Sequence, residues 1–257
     1  MPFTRYSSAT DVGLQRNNNE DSYLSRPELG IWVVADGMGG HAAGEVASAI
    51  VSQTIVQKIA EGHTLVEGVQ CSHRDVLDAA RNIEGSMGMG STVVALRAKG
   101  QQFEIAWVGD SRAYFWSPGA DKPLRQITTD HSYVQMLYQT GAISEEELDT
   151  HPEKNIITQC LGSIELDSVN VDSIKGQWNS HDWILLCSDG LSDAVPVDVI
   201  AAILASAANV QTATKNLIDS ALAYGGRDNI TVSIIEFPGS NRNFLQVFTS
   251  VISNIFK

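Results

Sequence analysis

Five aspartates in this chain stand where strands begin or end, most of them beside glycine or asparagine. Asp36 follows the apolar run Ile31–Ala35 (IWVVA) and precedes Gly37-Met38-Gly39-Gly40. Asp110 follows Ala106-Trp107-Val108-Gly109, and Asp189 follows Ile184-Leu185-Leu186-Cys187-Ser188 and precedes Gly190. Asp228 precedes Asn229-Ile230-Thr231-Val232, and Asp21, next to Glu20, precedes Ser22-Tyr23-Leu24. Acids at strand ends can converge on one rim of a sheet, and glycine leaves the backbone there open to close approach. Converging carboxylates repel one another unless positive charge sits among them. Oxygen donors with no nearby cysteine or paired histidine suit a hard cation, so Mg²⁺ or Mn²⁺ is expected over Zn²⁺. A single Asp-Gly is also a common turn former. The inference therefore rests on the five together.

The elements that must position these acids are legible in outline. Ile31–Ala35 reads as a buried strand, and Gly44–Ala60 carries apolar residues at helical spacing. A second helix is expected over Arg74–Met87, then strands over Thr92–Arg97 and Phe103–Val108 joined by a turn at Lys99-Gly100, and a strand over Ala113–Trp116. From Thr129 to about Gly162 the texture changes to that of an inserted flap, with short helices expected over Ser132–Thr140 and Ser144–Thr150, the latter opening on a capping-box pattern. Strands return at Val169–Ile174 and Trp183–Cys187, helices at Val197–Leu204 and Val210–Tyr224, and a last strand at Ile230–Phe237. Strands and helices come in groups rather than in strict alternation, which favours an α+β fold of antiparallel sheets with helices packed outside.

Bulk properties narrow the chemistry further. The chain has 257 residues, 43% of them hydrophobic, and a formal net charge of -13. That is enough apolar material for one large domain, and the acidic excess argues against a nucleic-acid partner. Cys71, Cys160 and Cys187 form no CxxC spacing, the first residues lack the apolar core of a signal peptide, and no apolar run is long enough to span a bilayer. A cytoplasmic setting is the expectation. The tail beyond Pro238 stands apart: Phe244, Phe248, Val251, Ile252 and Ile255 fall on one helical face, expected to dock on its own domain or, as the alternative, to rest on a membrane surface or a partner.

Seven strings in order resemble the metal-dependent protein phosphatase family of type 2C, in its compact bacterial form. They are VGLQRNNNEDSYL (Val12–Leu24), VVADGMGGHAAGE (Val33–Glu45), GMGSTVVAL (Gly88–Leu96), WVGDSRAYF (Trp107–Phe115), QITTDHS (Gln126–Ser132), LLCSDGLSD (Leu185–Asp193) and GGRDNITVSII (Gly225–Ile235). The resemblance implies a four-layer αββα sandwich over residues 1–237, with a flap at about 129–162 and the apolar tail at 238–257 outside it. It implies two cations, Mn²⁺ or Mg²⁺, with Asp36 bridging them and the Gly37 carbonyl on one. Asp189 and Asp228 resemble ligands of the first cation. Asp21 resembles the acid of the second, with Glu20 in its outer shell, and Asp110 with Asp189 resembles a weaker third site. Arg16 resembles the residue that grips the substrate phosphate. Where many eukaryotic relatives carry a histidine after the Asp-Gly, this chain has Met38. His41 is a candidate general acid, or simply a cap for the following helix. His131 is expected to be structural.

The implied activity is hydrolysis of phosphoserine and phosphothreonine in proteins, opposing a serine/threonine kinase, by a monomer. Two cations about 3.5–4 Å apart can activate a bridging water for in-line displacement, so no protein nucleophile is needed. Competing phosphoryl chemistries lack their residues. Six positions after the three cysteines stand Leu77, Leu166 and Asp193 rather than arginine, no Asp-x-Asp occurs, and the glycine-rich stretch Asp36–Gly44 has no Gly-Lys-Ser/Thr ending. Two alternatives stay open: a catalytically silent domain that binds phosphoproteins, and a phosphatase for small metabolites.

Overall fold

The computed structural model describes residues 5–39, 43–82, 87–166 and 168–237. His41 and the apolar tail therefore lie outside the described residues. In chain order the elements are β1 (Tyr6–Asp11), β2 (Asp21–Arg26), β3 (Ile31–Met38), α1 (Ala43–Ala60), α2 (Leu65–Asn82), β4 (Gly90–Ser91), β5 (Val93–Lys99), β6 (Gln102–Val108) and β7 (Arg112–Trp116). There follow β8 (Leu124–Gln126), α3 (Tyr133–Gln139), a 3₁₀ turn (Glu145–Glu147), β9 (Asp172–Gln177), β10 (Trp183–Cys187), α4 (Asp189–Ser192), α5 (Val197–Ser206), α6 (Val210–Ala223) and β11 (Ile230–Glu236).

The strands make two antiparallel sheets. One has the order β1-β11-β10-β7-β8, and the other the order β2-β3-β5-β6-β9 with β4 paired to β3. Side-chain alternation explains how they stack. In β3, Ile31, Val33 and Ala35 pack into a core with α1 and α2, while Trp32 and Val34 face a second core shared with Ile184, Leu186 and Ile235 of the other sheet. In β10 and β11, Leu185, Cys187, Val232 and Ile234 face a third core with α4, α5 and α6. Both faces of the central strands are thus covered. That is why they read as continuous apolar runs rather than as alternating ones. The layers run helices, sheet, sheet, helices, the αββα sandwich that the family resemblance implied. All three cysteines are free.

Several elements depart from the sequence expectation. The second helix occupies Leu65–Asn82, not Arg74–Met87. Its start is set by a capping box: Glu67 Oε2 accepts the Thr64 backbone N–H at 2.8 Å, and Thr64 Oγ1 accepts the Glu67 N–H at 3.2 Å. Gly68, which reads as a helix breaker, is a contact point; a Cβ there would lie 3.6 Å from the Ile55 Cα of α1. The strand expected at Val169–Ile174 forms at Asp172–Gln177, because Val169 and Val171 are drawn into the helix-side core instead of the ladder. Ser144–Thr150 condenses to the single turn Glu145–Glu147, an exposed segment with no apolar face to bury. The short strands β1, β4 and β8 and the helix α4 were not foreseen, and of β2 only its start at Asp21 was marked.

Candidate metal centre

The register of two neighbouring strands brings the first acids together. Asp21, the first residue of β2, lies directly across the ladder from Asp36, which sits inside β3 rather than after it. Asp110 leaves the end of β6 two residues beyond Val108, and Asp189 starts α4 immediately after Ser188, which follows β10. Asp228 stands two residues before β11. Three of the acids come from one sheet and two from the other, so the cluster spans the seam between the two sheets.

The electrostatics show that the five share one space. Burial raises the Asp36 carboxyl well above its ordinary value, and the charges of Asp21, Asp189 and Asp110 add to that. Burial, with the neighbouring charges of Asp189 and Asp228, pushes Asp21 up to about 7 against the pull of hydrogen bonds from Thr231 and Ser188. Burial and the charge of Asp189 push Asp110 up to about 7. Burial and the charge of Asp228 push Asp189 up to about 6. Asp21 is 9% exposed, whereas Asp36, Asp110 and Asp189 keep a little accessible surface at the floor of the cleft. The interaction of the Asp36 and Asp189 side chains pushes Asp36 further up and Asp189 down. The Oδ1 atoms of Asp21 and Asp189 are buried and have no hydrogen-bond partner among the described residues.

Such an arrangement is costly as it stands. Buried carboxyl oxygens without donors lose solvation and gain nothing in return. Among the described residues, no three acids, histidines or cysteines are drawn in to the spacing of a closed metal cage. What fits a hard divalent cation is the donor chemistry: oxygen alone, several carboxylates, and orphaned oxygens already stripped of water.

Polar neighbours hold the acids in place. Ser188 Oγ donates to Asp21 Oδ2 at 2.7 Å and accepts the Thr231 N–H at 3.0 Å, tying the two sheets together. Thr92 Oγ1 accepts the Asp36 N–H at 3.3 Å and bonds Ser111 Oγ at 2.7 Å, linking β3 to the loop of Asp110. His131 fixes the same loop, its Nδ1 accepting the Gly109 N–H at 3.2 Å, so its structural role is as expected. Asn229 Nδ2 donates to the carbonyls of Val12 and Asn18 at 3.0 and 2.9 Å, and its Oδ1 accepts the Glu20 N–H at 2.7 Å. Ser188, Thr92, Ser111 and Asn229 were not singled out by sequence reasoning, although each lies within one of the strings that carry the resemblance.

Glu20 and Gly37 share a tight corner. The Glu20 carboxylate accepts the Gly44 N–H in the first turn of α1, a favourable place for a negative charge. A Cβ on Gly37 would fall 2.0 Å from the Gly44 carbonyl oxygen, so only glycine lets β3 pass under α1. Arg16, expected to meet phosphate, donates from Nη2 to Asp228 Oδ2 at 2.7 Å, and its side chain remains 51% exposed. Beyond the acids the cleft divides around Lys154, which donates to Asp193 Oδ2 at 2.9 Å. A hollow of about 280 Å³ lies on the side of Asp110, Arg112 and Ser132, and another of about 290 Å³ on the side of Asp228, Arg227 and Tyr224; Asp189 lines both.

Comparison with known proteins agrees with this geometry. Residues 15–223 match the family model described as Protein phosphatase 2C. The chain is 37% identical to the serine/threonine phosphatase stp of Listeria welshimeri over 250 residues, covering 92% of this chain and 95% of that protein. The crystal structure of the Mycobacterium tuberculosis serine/threonine phosphatase PstP/Ppp superposes with a TM-score of 0.83 at 34% identity, over 91% of this chain and 98% of that one. A structure of the catalytic domain of PstP in complex with two manganese ions superposes at 0.78 with 33% identity, over 90% and 97% of the two chains. A buried set of aspartates straddling two antiparallel sheets, and matches that run nearly the length of the chain, lead to one conclusion: this protein belongs to the protein phosphatase 2C family.

Proposed function

We infer that the chain is a divalent-metal-dependent serine/threonine protein phosphatase whose cations are held by Asp21, Asp36, Asp189 and Asp228, with the Gly37 carbonyl as a further donor. The observation that carries the reading is Asp21 directly opposite Asp36, beside Asp189, with two buried carboxyl oxygens lacking any donor among the described residues. Asp110 faces Asp189 on the side of the smaller hollow, where a third, weaker cation would sit. When bound, Mn²⁺ or Mg²⁺ supplies Lewis acidity that lowers the pKa of water and offsets the charge of the phosphate.

The protein's own part is to bind, orient and neutralise. Arg16 enters the site already charged and half exposed, held by only one carboxyl oxygen of Asp228. Its fork leaves N–H groups free to take two oxygens of a phosphate monoester. The other Asp228 oxygen accepts the Asn229 N–H at 2.9 Å, so the carboxylate stays oriented when Arg16 turns to substrate. Burial and the neighbouring aspartates push Asp36 towards its neutral form, and it must lose its proton to act as a ligand. Candidate substrates are phosphoproteins made by a serine/threonine kinase. No helix among the described residues is long and apolar enough to cross a membrane.

The test is release of phosphate from a phosphothreonine peptide with Mn²⁺ or Mg²⁺ and its loss with EDTA. Asp36→Asn is expected to lower turnover at least a thousandfold and to abolish the rise in melting temperature on adding Mn²⁺. Wild-type turnover in that variant would remove Asp36 from the centre. Preference for sugar phosphates over phosphopeptides would turn the assignment to small metabolites.

A further inference from the structure

The hollows beside the acids are not the largest in the molecule. One of 580 Å³ lies at the other end of β5 and β6, lined by His63, Thr64 and Leu65 of the α1–α2 turn and by the outer face of the sheet. Two adjacent cross-strand rows form its floor. Arg97, Glu104 and Lys175 stand in register across β5, β6 and β9, and Lys99, Gln102 and Gln177 do so one step further along. The helices α1 and α2 cover the same face nearer the metal centre, where Val93, Ala95, Ala106 and Val108 are apolar. Beyond them the rows turn polar and cationic.

Charge sets this shelf apart. The chain as a whole carries -13, yet three of its 17 lysines and arginines meet here with Glu104 the only acid lining the hollow. Glu104 is engaged by Lys175 at 3.6 Å. Arg97 and Lys99 have no carboxylate partner among the described residues, and Arg97 is half-buried. A partly desolvated guanidinium without a counter-ion is unfavourable until an anion arrives. The hollow opens on β9, whose outer edge carries no partner strand among the described residues.

We propose that this groove is a docking site for an extended acidic segment of the phosphoprotein substrate, outside the phosphorylated residue itself. The proposal rests on the phosphatase reading above and names the substrate feature that it lacks. β6 separates the groove from Asp110 by seven residues, Gln102–Val108, or roughly 20 Å of strand. An acidic segment about ten residues from the phosphorylated residue spans that distance. Docking there raises the local concentration of substrate at the metal centre and lowers KM without touching the chemical step.

The experiment compares a short phosphothreonine peptide with one extended by a flexible ten-residue spacer and six glutamates. With the wild-type protein and Mn²⁺ the extension is expected to lower KM roughly tenfold, with kcat unchanged within about twofold, the gain fading at high salt. In Arg97→Gln/Lys99→Gln/Lys175→Gln the gain disappears, while the short peptide is turned over as before and thermal unfolding is unaltered. A fluorescent, unphosphorylated six-glutamate peptide binds the wild type and not the triple variant, a readout independent of catalysis. Equal KM for the two phosphopeptides, a gain that survives the triple substitution, or equal binding of a labelled oligonucleotide of the same charge would each overturn the proposal. Absence of phosphate release from the short peptide would instead strike the phosphatase reading, with the binding arm still deciding on the groove.

Discussion

Asn229 is one side chain with the work of several. It holds the carbonyls of Val12 and Asn18 and the N–H of Glu20, and so pins the loop that carries Arg16 beside Asp228. Asn229→Ala removes three buried hydrogen bonds at about 1 kcal/mol each. The expected outcome is a denaturant midpoint lowered by an amount equal to about 3 kcal/mol, and a kcat/KM that falls at least tenfold as Arg16 and Asp228 lose their mutual position. An unchanged kcat/KM would mean that Arg16 is placed by other contacts. The aspartates were legible only as a set, because one Asp-Gly is an ordinary turn former and it was five acids at strand ends that pointed to a shared space. Asn229, Ser188, Thr92 and Ser111 were not. Their value lies in partners that sit as far as 217 positions away in the chain, and a lone Ser or Asn in a strand-end string looks like a turn residue.

Strand register does for the elements what hydrogen bonds do for the residues. The β2–β3 ladder sets Asp21 against Asp36, and a slip of β2 by one residue would turn Asp21 to the other face of the sheet, away from Asp36. On the other sheet, β7 is anchored by Arg112, which makes a two-pronged pair with Asp130: Nε to Oδ1 and Oδ2 at 3.1 and 2.9 Å, and Nη2 to Oδ2 at 2.7 Å. The two side chains are only 20% and 10% exposed. Asp130→Ala leaves a buried guanidinium with its main partner gone, and is expected to cost about 3–5 kcal/mol in chemical denaturation. Asp130→Ala with Arg112→Met should recover most of that loss. Strands β3, β5, β6, β7, β10 and β11 were readable because burial on both faces leaves long apolar runs. β1 and β2 were not, since their inward residues at the sandwich edge are hydroxyls, Ser8 bonding both Ser25 and Ser233 at 3.0 and 2.8 Å. α2 was placed too late in the chain, because its start is marked by the Thr64–Glu67 capping box rather than by an apolar run.

At the scale of the whole molecule, the acid cluster couples stability to pH and metal. In the unfolded chain these carboxyls titrate at about 3.9, whereas Asp189 is held at about 6 and Asp21 and Asp110 at about 7 in the folded protein. The metal-free fold therefore keeps protons that the unfolded chain has released. Its stability falls as pH rises from about 4 through about 7, and Asp36, also raised well above its ordinary value, adds to the fall. Cations reverse the trend by replacing those protons. In EDTA the melting temperature is expected to drop between pH 5 and 7.5 by more than in Mn²⁺, and Mn²⁺ at a hundred times its Kd should stabilise by about 2.7 kcal/mol at the higher pH. A melting temperature independent of Mn²⁺ at pH 7.5 would contradict this linkage. The seam between the sheets has a further consequence, for biosynthesis. β11 is the last strand of the described fold, and it lies between β1 and β10 at the middle of its sheet's early half. Asp228 arrives with it. A nascent polypeptide still in the ribosome up to that point has an N-terminal strand without its neighbour and an acid cluster without Asp228. A chain that stops before β11 therefore lacks both the strand that joins β1 to β10 and the acid that comes with it.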